Sequence, residues 1–277
     1  MKMIITGKKG YIASNLYNYL TKKGHSVSRV SLRDTDISLL DMSGCDVVIH
    51  CAALVHKKEK NYTIDDYMNI NCRLTKELAE KAKASGVGQF IFLSTMSVYG
   101  MQSGIIDENT EEMPVTFYGK SKLAAEKELE KLSSDKFKIA VIRPPMVYGA
   151  DCPGNYARLS EFAKKTFVFP YVENKRSMIY IENLCEFISL CAEHNSEGIF
   201  LVQNREYVST MDMVRNIKKK GIYYSKFMGK IVSAMKFGVF AKLFGDLYYV
   251  QIPYFEGRYL ITGFKESIER SERTSKK

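Results

Sequence analysis

An apolar run, a glycine turn and a helix follow one another at the start of the chain, and that order constrains the fold more than any other feature. Met1–Thr6 reads as a strand and Tyr11–Lys23 as a helix closed by Gly24, with Thr6-Gly7-Lys8-Lys9-Gly10-Tyr11-Ile12-Ala13 joining them. Gly7 permits the tight turn, and Gly10 lets backbone N–H groups approach a pyrophosphate. Ala13 is small enough for helix and strand to pack closely. The helix N-terminus adds positive potential where phosphate would lie. A glycine pattern alone is weak, but this one stands in the strand–turn–helix context that a dinucleotide site needs.

The same alternation continues for about 150 residues. His25–Leu32, Asp46–Cys51, Gln89–Ser94 and Phe137–Arg143 read as strands, and Asn69–Ser85 and Tyr118–Leu132 as helices. Strands and helices at this spacing predict an α/β fold, a Rossmann-type doubly wound parallel sheet with ligands at the carboxyl ends of its strands. A chain of 277 residues has room for one large domain or two modest ones. The expected division is a dinucleotide-binding Rossmann domain over 1–150 and a smaller C-terminal substrate-binding lobe, mainly 151–265, with some chain returning to the first domain. Residues 266–277 read as a frayed charged tail.

Several classes are excluded. Hydrophobic residues make up 45% and charged residues 26%, which rules out a disordered or collagenous chain. Apolar runs stop well short of the ~18 residues of a spanning helix, so no stable membrane insertion is expected. The N-terminus lacks a signal-type apolar region, and a cytoplasmic location is expected. The six cysteines form no C-x-x-C pair and lie in apolar or helical patterns, as small hydrophobes do, so no metal site is expected. The formal charge of +10 is spread along the chain without a zinc-finger or RRM-type motif. It suits anionic small ligands or solvated lysines, and no nucleic acid partner is expected. Lys226–Phe244 reads as a basic helix carrying Phe227, Ile231, Met235, Val239 and Leu243, with burial against the substrate lobe favoured over a membrane-surface role.

The end of the second strand bears on the cofactor. A carboxylate there would bond the adenosine ribose and repel a 2′-phosphate, but the expected position is Ser31, followed by Leu32 and Arg33. A serine with a nearby guanidinium does the reverse, and Lys8 and Lys9 add positive charge, so NADP(H) is favoured over NAD(H). The competing reading is that Asp34 reaches back to the ribose.

Tyr118 and Lys122 are four apart on a predicted helix, hence on one face. An adjacent ammonium favours phenolate and lowers the tyrosine pKa from about 10, which makes a usable acid–base group. Ser94-Thr95-Met96-Ser97-Val98-Tyr99-Gly100 follows the fourth strand, where a hydroxyl can bond a substrate oxygen and share the proton.

These motifs occur in order with His50-Cys51-Ala52-Ala53, with Asn71 and Thr75, and with Arg143-Pro144-Pro145-Met146-Val147-Tyr148-Gly149. Together they resemble the extended short-chain dehydrogenases/reductases, in particular the nucleotide-sugar epimerases, dehydratases and reductases, over about residues 1–205. The resemblance implies Thr95 as the catalytic hydroxyl, Tyr118 as general acid/base and Lys122 as its activator. It implies cofactor contacts from Gly7, Lys9, Gly10, Tyr11, Ile12, Ser31, Arg33, Ala52, Ala53, Asn71, Tyr118, Lys122 and Pro145. Substrate contacts are implied for Thr95, Met96, Asn155, Arg176 and Arg258, the last three toward the diphosphate of a UDP-sugar; a solvated loop is the competing reading of Arg176. A homodimer is implied on the same basis.

The favoured activity is NADPH-dependent reduction of the 4-keto group of a UDP-linked 6-deoxy-hexosamine, in nucleotide-sugar synthesis for surface polysaccharide. Met96 and Ser97 stand where dehydratases of this kind carry Asp-Glu. A UDP-hexose 4-epimerase with tightly bound NAD is the alternative, and a non-catalytic NADP-sensing protein of the same fold a distant one.

Overall fold

The computed structural model describes residues 1–33, 35–55, 62–235 and 238–274. In chain order the strands are β1 (Lys2–Thr6), β2 (Ser26–Val30), β3 (Val47–His50), β4 (Gln89–Leu93), β5 (Gly104–Ile106), β6 (Lys138–Ile142), β7 (Met146–Tyr148), β8 (Val168–Pro170), β9 (Met178–Tyr180), β10 (Gly198–Phe200), β11 (Tyr223–Ser225) and β12 (Leu247–Tyr249). The α-helices are α1 (Tyr11–Lys22), α2 (Ile64–Met68), α3 (Leu74–Ala84), α4 (Phe117–Glu130), α5 (Asn155–Lys165), α6 (Ile181–Glu193), α7 (Thr210–Lys218), α8 (Lys226–Ala234), α9 (Gly238–Phe244) and α10 (Phe264–Thr274). Two compact units share this chain. The first comprises Met1–Gly100, Glu111–Pro144 and Leu184–Val202; the second holds Met101–Thr110, Pro145–Asn183 and Gln203 onward.

The first unit is built on a six-stranded parallel sheet in the order β10-β6-β4-β3-β1-β2. β3 and β4 are buried along their whole length, as strands covered on both faces must be, which explains their unbroken apolar runs. Val48, Phe90 and Phe92 pack with Leu78 and Ala82 of α3 and Leu129 of α4 in one core cluster. From β1 the chain goes to β2 on one side and then returns to β3 on the other. That reversal opens a crevice at the carboxyl ends of β1 and β3, where ligands bind in sheets of this kind.

The stretch read as one helix over Asn69–Ser85 is in fact the end of a longer, interrupted one. Thr63 caps α2 in a reciprocal box with Asp66, a π-helical turn spans Asn69–Arg73, and α3 follows. Such bulges recur at functional sites, and this one carries the fully buried Asn71.

The second unit contains three parallel strand pairs, β12–β5, β7–β9 and β11–β8, with α5, α7, α8, α9 and α10. Two expectations are corrected here. As far as Thr274 the tail is not frayed: α10 buries Ser267, Ile268 and Ser271 completely, and the last three residues of the expected 266–277 tail lie outside the described residues. Ser267 Oγ lies 2.6 Å from Tyr148 Oη, and Glu272 accepts bonds from Tyr156 Oη (2.8 Å) and Ser160 Oγ (2.9 Å). The charged composition hides a narrow inward stripe of small residues, while Glu266 and Arg270 pair on the outer face at 2.7 Å.

The Lys226–Phe244 segment is likewise not one buried helix. It divides into α8 and α9, and in α8 only Gly229 and Val232 are buried, whereas Phe227 and Ile231 face out. Lys236 and Phe237 lie outside the described residues.

Candidate active site

At the end of β1, Gly7 takes φ +89°, a conformation that glycine adopts without strain. A Cβ there would come within 3.1 Å of Ala52 N and 3.2 Å of Ala52 Cα, so the turn and the loop after β3 lie as close as two backbones can. Gly7 N donates to Val30 O (3.0 Å) and Gly10 N to Gly7 O (2.7 Å). Gly10 then starts α1 with no side-chain cap and no acidic residue in the first turn. This bare, electropositive helix start beside a side-chain-free cradle fits the pyrophosphate of a nicotinamide dinucleotide. Gly7, Gly10, Tyr11 and Ile12 would hold it, with exposed Lys9 at its edge and half-buried Ala52 and Ala53 in the loop after β3.

Beyond β2, Ser31 is half-buried and Arg33 exposed; Asp34 lies outside the described residues. A cation not singled out from the sequence stands close by. Arg29 stacks on Tyr17 at 4.4 Å and donates through Nη1 to Ser14 Oγ (3.2 Å) and Lys8 O (3.3 Å). Its partners are 15 and 21 residues away along the chain, so only the fold reveals it.

A buried hydrogen-bond chain leads from this cradle to α4. Thr75 Oγ1 donates to Asn71 O (2.8 Å), so its remaining contact, 2.9 Å from His50 Nε2, must accept. His50 is therefore protonated at Nε2, and Nδ1 accepts from Thr6 Oγ1 at 2.7 Å. Thr6 Oγ1 in turn accepts from Ala52 N (3.3 Å). Burial, followed by the nearby Lys122 charge, takes the His50 pKa down to about 3 and keeps the ring neutral. Asn71 accepts from Leu54 N (2.7 Å) and donates to Ser121 Oγ (3.0 Å), which donates to Tyr118 O (2.9 Å). The helix bearing Tyr118 and Lys122 is thereby tied to the turn beneath the cofactor cradle.

A second buried network fixes the other side. Glu126, one turn beyond Lys122, accepts from Ser94 Oγ and from Arg143 Nε (3.1 Å) and Nη2 (2.5 Å). Arg143 Nη1 reaches Tyr99 Oη at 2.7 Å, and Nη2 pairs with Glu112 at 2.8 Å. Ser94 N donates to Ile142 O and Met96 N to Pro144 O, so Thr95 is held between two backbone bonds. Thr95 Oγ1 accepts from Ser97 N (3.1 Å) and is hydrogen-bonded to the Tyr118 phenol. Thr95 and Tyr118 thus meet as their positions after β4 and on α4 suggest. Met96 is half-buried beside them.

The electrostatics correct the expected sign for Tyr118. Burial pushes its phenol up to about 12; the Thr95 hydrogen bond lowers it less, and Tyr67 raises it further. Lys122 does not counter this, because burial takes its own pKa down to about 7, with Glu126 and Cys51 opposing the fall. Its Nζ lies 3.9 Å from the centre of the Phe92 ring. The ammonium expected to pull the phenol down is itself weakened by burial, and the phenol's own burial keeps Tyr118 protonated at neutral pH.

The depressed Lys122 pKa carries a stability prediction. Between its folded value of about 7 and its ordinary 10.5, the unfolded chain binds a proton that the folded chain has lost. Stability therefore rises with pH through the lower part of that window. Above about pH 9 the opposite sign enters, since Cys51 and Tyr118 have folded values raised to about 12 and lose protons first in the unfolded chain. Urea titrations are expected to show the unfolding free energy climbing from about pH 7 to about 8.5, with a slope approaching about 1.4 kcal/mol per unit. Lys122→Met should flatten the climb; an unchanged profile in that variant would place its origin elsewhere.

The remaining candidates belong to the second unit. Arg176 is half-buried, bridges Val208 and Leu247 through its backbone, and donates from Nη1 to Gly245 O at 2.8 Å. Asn155 opens α5 and is exposed; Arg258 is exposed, with Nε donating to Phe255 O at 3.2 Å. Pro145 is buried just before β7. Among the described residues, no group of three or more His, Cys, Asp or Glu side chains could hold a metal ion, and no helix is long and apolar enough to cross a membrane.

The arrangement agrees with what comparison shows. Residues 3–202 match the model of the NAD dependent epimerase/dehydratase family. The chain is 31% identical over 246 residues to a UDP-glucose 4-epimerase of Vibrio cholerae, covering 78% of this chain and 74% of that one. Its fold is similar to that of a UDP-glucuronic acid 4-epimerase from Bacillus cereus in complex with NAD, with a TM-score of 0.75, 21% identity and coverage of 99% and 98%. It is similar also to a dTDP-4-dehydrorhamnose reductase from Bacillus anthracis in complex with NADP, with a TM-score of 0.72, 18% identity and the same coverage. A Rossmann-type sheet with this cradle and a Tyr-x-x-x-Lys helix defines a nicotinamide-dependent enzyme of the short-chain dehydrogenase/reductase type. The chain belongs to the NAD dependent epimerase/dehydratase family.

Proposed function

We propose that this enzyme reduces the 4-keto group of a UDP-linked 6-deoxy-hexosamine with NADPH. The observation that carries the choice is the end of β2. There Ser31, Leu32 and Arg33 offer no carboxylate to the adenosine ribose, and Arg29 sets a second guanidinium against the Lys8 carbonyl. A site that welcomes a 2′-phosphate suits a cofactor exchanged at every turnover.

When bound, the cofactor supplies a hydride to the carbonyl carbon of the sugar. The chain's own residues handle the oxygen. Thr95 Oγ1 bonds it and orients the carbonyl, and Tyr118 Oη gives it a proton as negative charge develops. A phenol whose pKa is pushed up to about 12 enters the reaction in its proton-donating form. Lys122, buried beneath, can bond the nicotinamide ribose and take up charge as Tyr118 gives up its proton.

The likeness to the Vibrio cholerae UDP-glucose 4-epimerase favours a second reading, a 4-epimerase acting on a UDP-hexose with retained NAD. Incubation with a UDP-4-keto-6-deoxy-N-acetylhexosamine and either nicotinamide separates the two. Sustained oxidation over many turnovers, faster with NADPH than with NADH, is the outcome expected of the reductase. Interconversion of UDP-glucose and its C4 epimer without added cofactor would replace it with the epimerase.

Arg33→Glu tests the cofactor reading. Loss of a charge-assisted bond to a 2′-phosphate is worth roughly 10- to 100-fold. The ratio of kcat/KM for NADPH over NADH is expected to fall by that factor, and an unchanged ratio would remove Arg33 from the site.

A further inference from the structure

The outward face of α8 is apolar and exposed. A Cβ on Gly229 would overlap the carbonyl of Tyr171, so the helix backbone itself sits on the chain beside β8, and Val232 is the other buried position. With that side inward, the turn of 100° per residue puts Phe227, Met228, Ile231 and Met235 on one exposed apolar stripe and Lys226 and Lys230 beside it. Phe227 is 74% exposed.

Two further large apolar side chains, Phe167 and Tyr223, stand exposed on the strand pair that leads into the helix. Tyr223 pairs with Val168 across β11 and β8, and its N–H donates to Phe167 O at 2.8 Å. Phe167 is 72% exposed and Tyr223 69%. Scattered apolar residues on a surface need no explanation, but a contiguous patch of large ones marks a contact surface.

Charge indicates what the surface meets. Between Met213 and Gly245 the sequence has eight lysines and arginines and no carboxylate. Lys220, Lys226, Lys230 and Lys242 form no ion pair among the described residues. Glu173 and Asp246 line the groove of about 530 Å³ that Lys226 and Lys230 also line, and offset part of that charge on the side away from the apolar stripe. An apolar stripe rich in aromatic and methionine side chains, edged by unpaired lysines, has the composition of a helix that lies in a headgroup layer. We propose that α8, with Phe167 and Tyr223, docks this chain on the surface of an anionic phospholipid bilayer, peripherally and without spanning it.

Flotation of the full chain with vesicles tests the proposal. The chain is expected to float with phosphatidylglycerol–phosphatidylcholine vesicles, weakly with phosphatidylcholine alone, and less as salt is raised. Phe227→Ser with Ile231→Ser should lower the partition coefficient by at least about 30-fold. Lys226→Gln with Lys230→Gln should lower it by roughly 10- to 25-fold. Thermal midpoint and NADPH oxidation serve as folding controls and should be unchanged. Failure of the wild-type chain to float with anionic vesicles overturns the proposal, as does equal flotation of the Phe227/Ile231 variant. A wild-type dimer that this variant converts to monomer would assign the stripe to a second copy instead.

Discussion

Tyr118→Phe is expected to lower kcat by about 10²- to 10⁴-fold, the usual worth of a positioned proton donor. The loss should fall on kcat rather than on cofactor affinity. The hydroxyl gives the bound nicotinamide at most one neutral hydrogen bond, worth about 0.5–1.5 kcal/mol, so the Kd for NADPH should rise no more than about tenfold. The phenol ring stays, and Asn71, Ser121 and the Tyr118 carbonyl keep their bonds, so α4 keeps its place. Thr95→Ala should give a smaller loss, since Tyr118 can still deliver the proton. Binding titrations beside steady-state kinetics separate these effects. A Tyr118→Phe enzyme with near wild-type kcat would remove the proposed acid from the mechanism.

The largest effect on stability is expected at Arg143. Its guanidinium is 3% exposed and satisfies Glu126, itself 5% exposed, with Tyr99 and Glu112 completing the cluster. Arg143→Ala leaves the Glu126 carboxylate buried with Ser94 as its remaining side-chain donor in the network, at a cost of about 3–5 kcal/mol. Chemical denaturation should report that loss. Because the cluster also holds the loop carrying Thr95, residual activity in the folded fraction should fall as well. Pairing Arg143→Met with Glu126→Gln removes both charges and should recover a large part of the stability. Equal stability of Arg143→Ala and the wild type would mean that the pair contributes nothing to the fold.

Local patterns made the first unit legible. Unbroken apolar runs marked β3 and β4 because both faces of a parallel sheet are covered, and the glycine turn marked the start of α1 because few residues tolerate its backbone. Tyr118 and Lys122 were visible from an i,i+4 spacing, and Thr95 from its place after β4. What the sequence hid depended on distant partners. Nothing near His50 shows that Thr6 and Thr75 flank it, or near Glu126 that Arg143 closes on it. The sign of the Tyr118 shift is not legible in the sequence, because burial acts on the phenol and on the lysine expected to activate it. Composition misled at two places: α10 conceals its buried serines among charges, and α8 presents outward the apolar residues that a soluble helix would ordinarily bury.

The most direct test of the proposed reaction follows the hydrogen itself. Full turnover of the UDP-4-keto-6-deoxy-hexosamine with NADPH deuterated at nicotinamide C4, on the face that reacts, should place one deuterium on C4 of the sugar and release one oxidised cofactor per product. A C4-hydroxyl product without deuterium, from either labelled face, would contradict direct transfer from exchangeable NADPH. It would leave the fold and the family standing while removing the reductase.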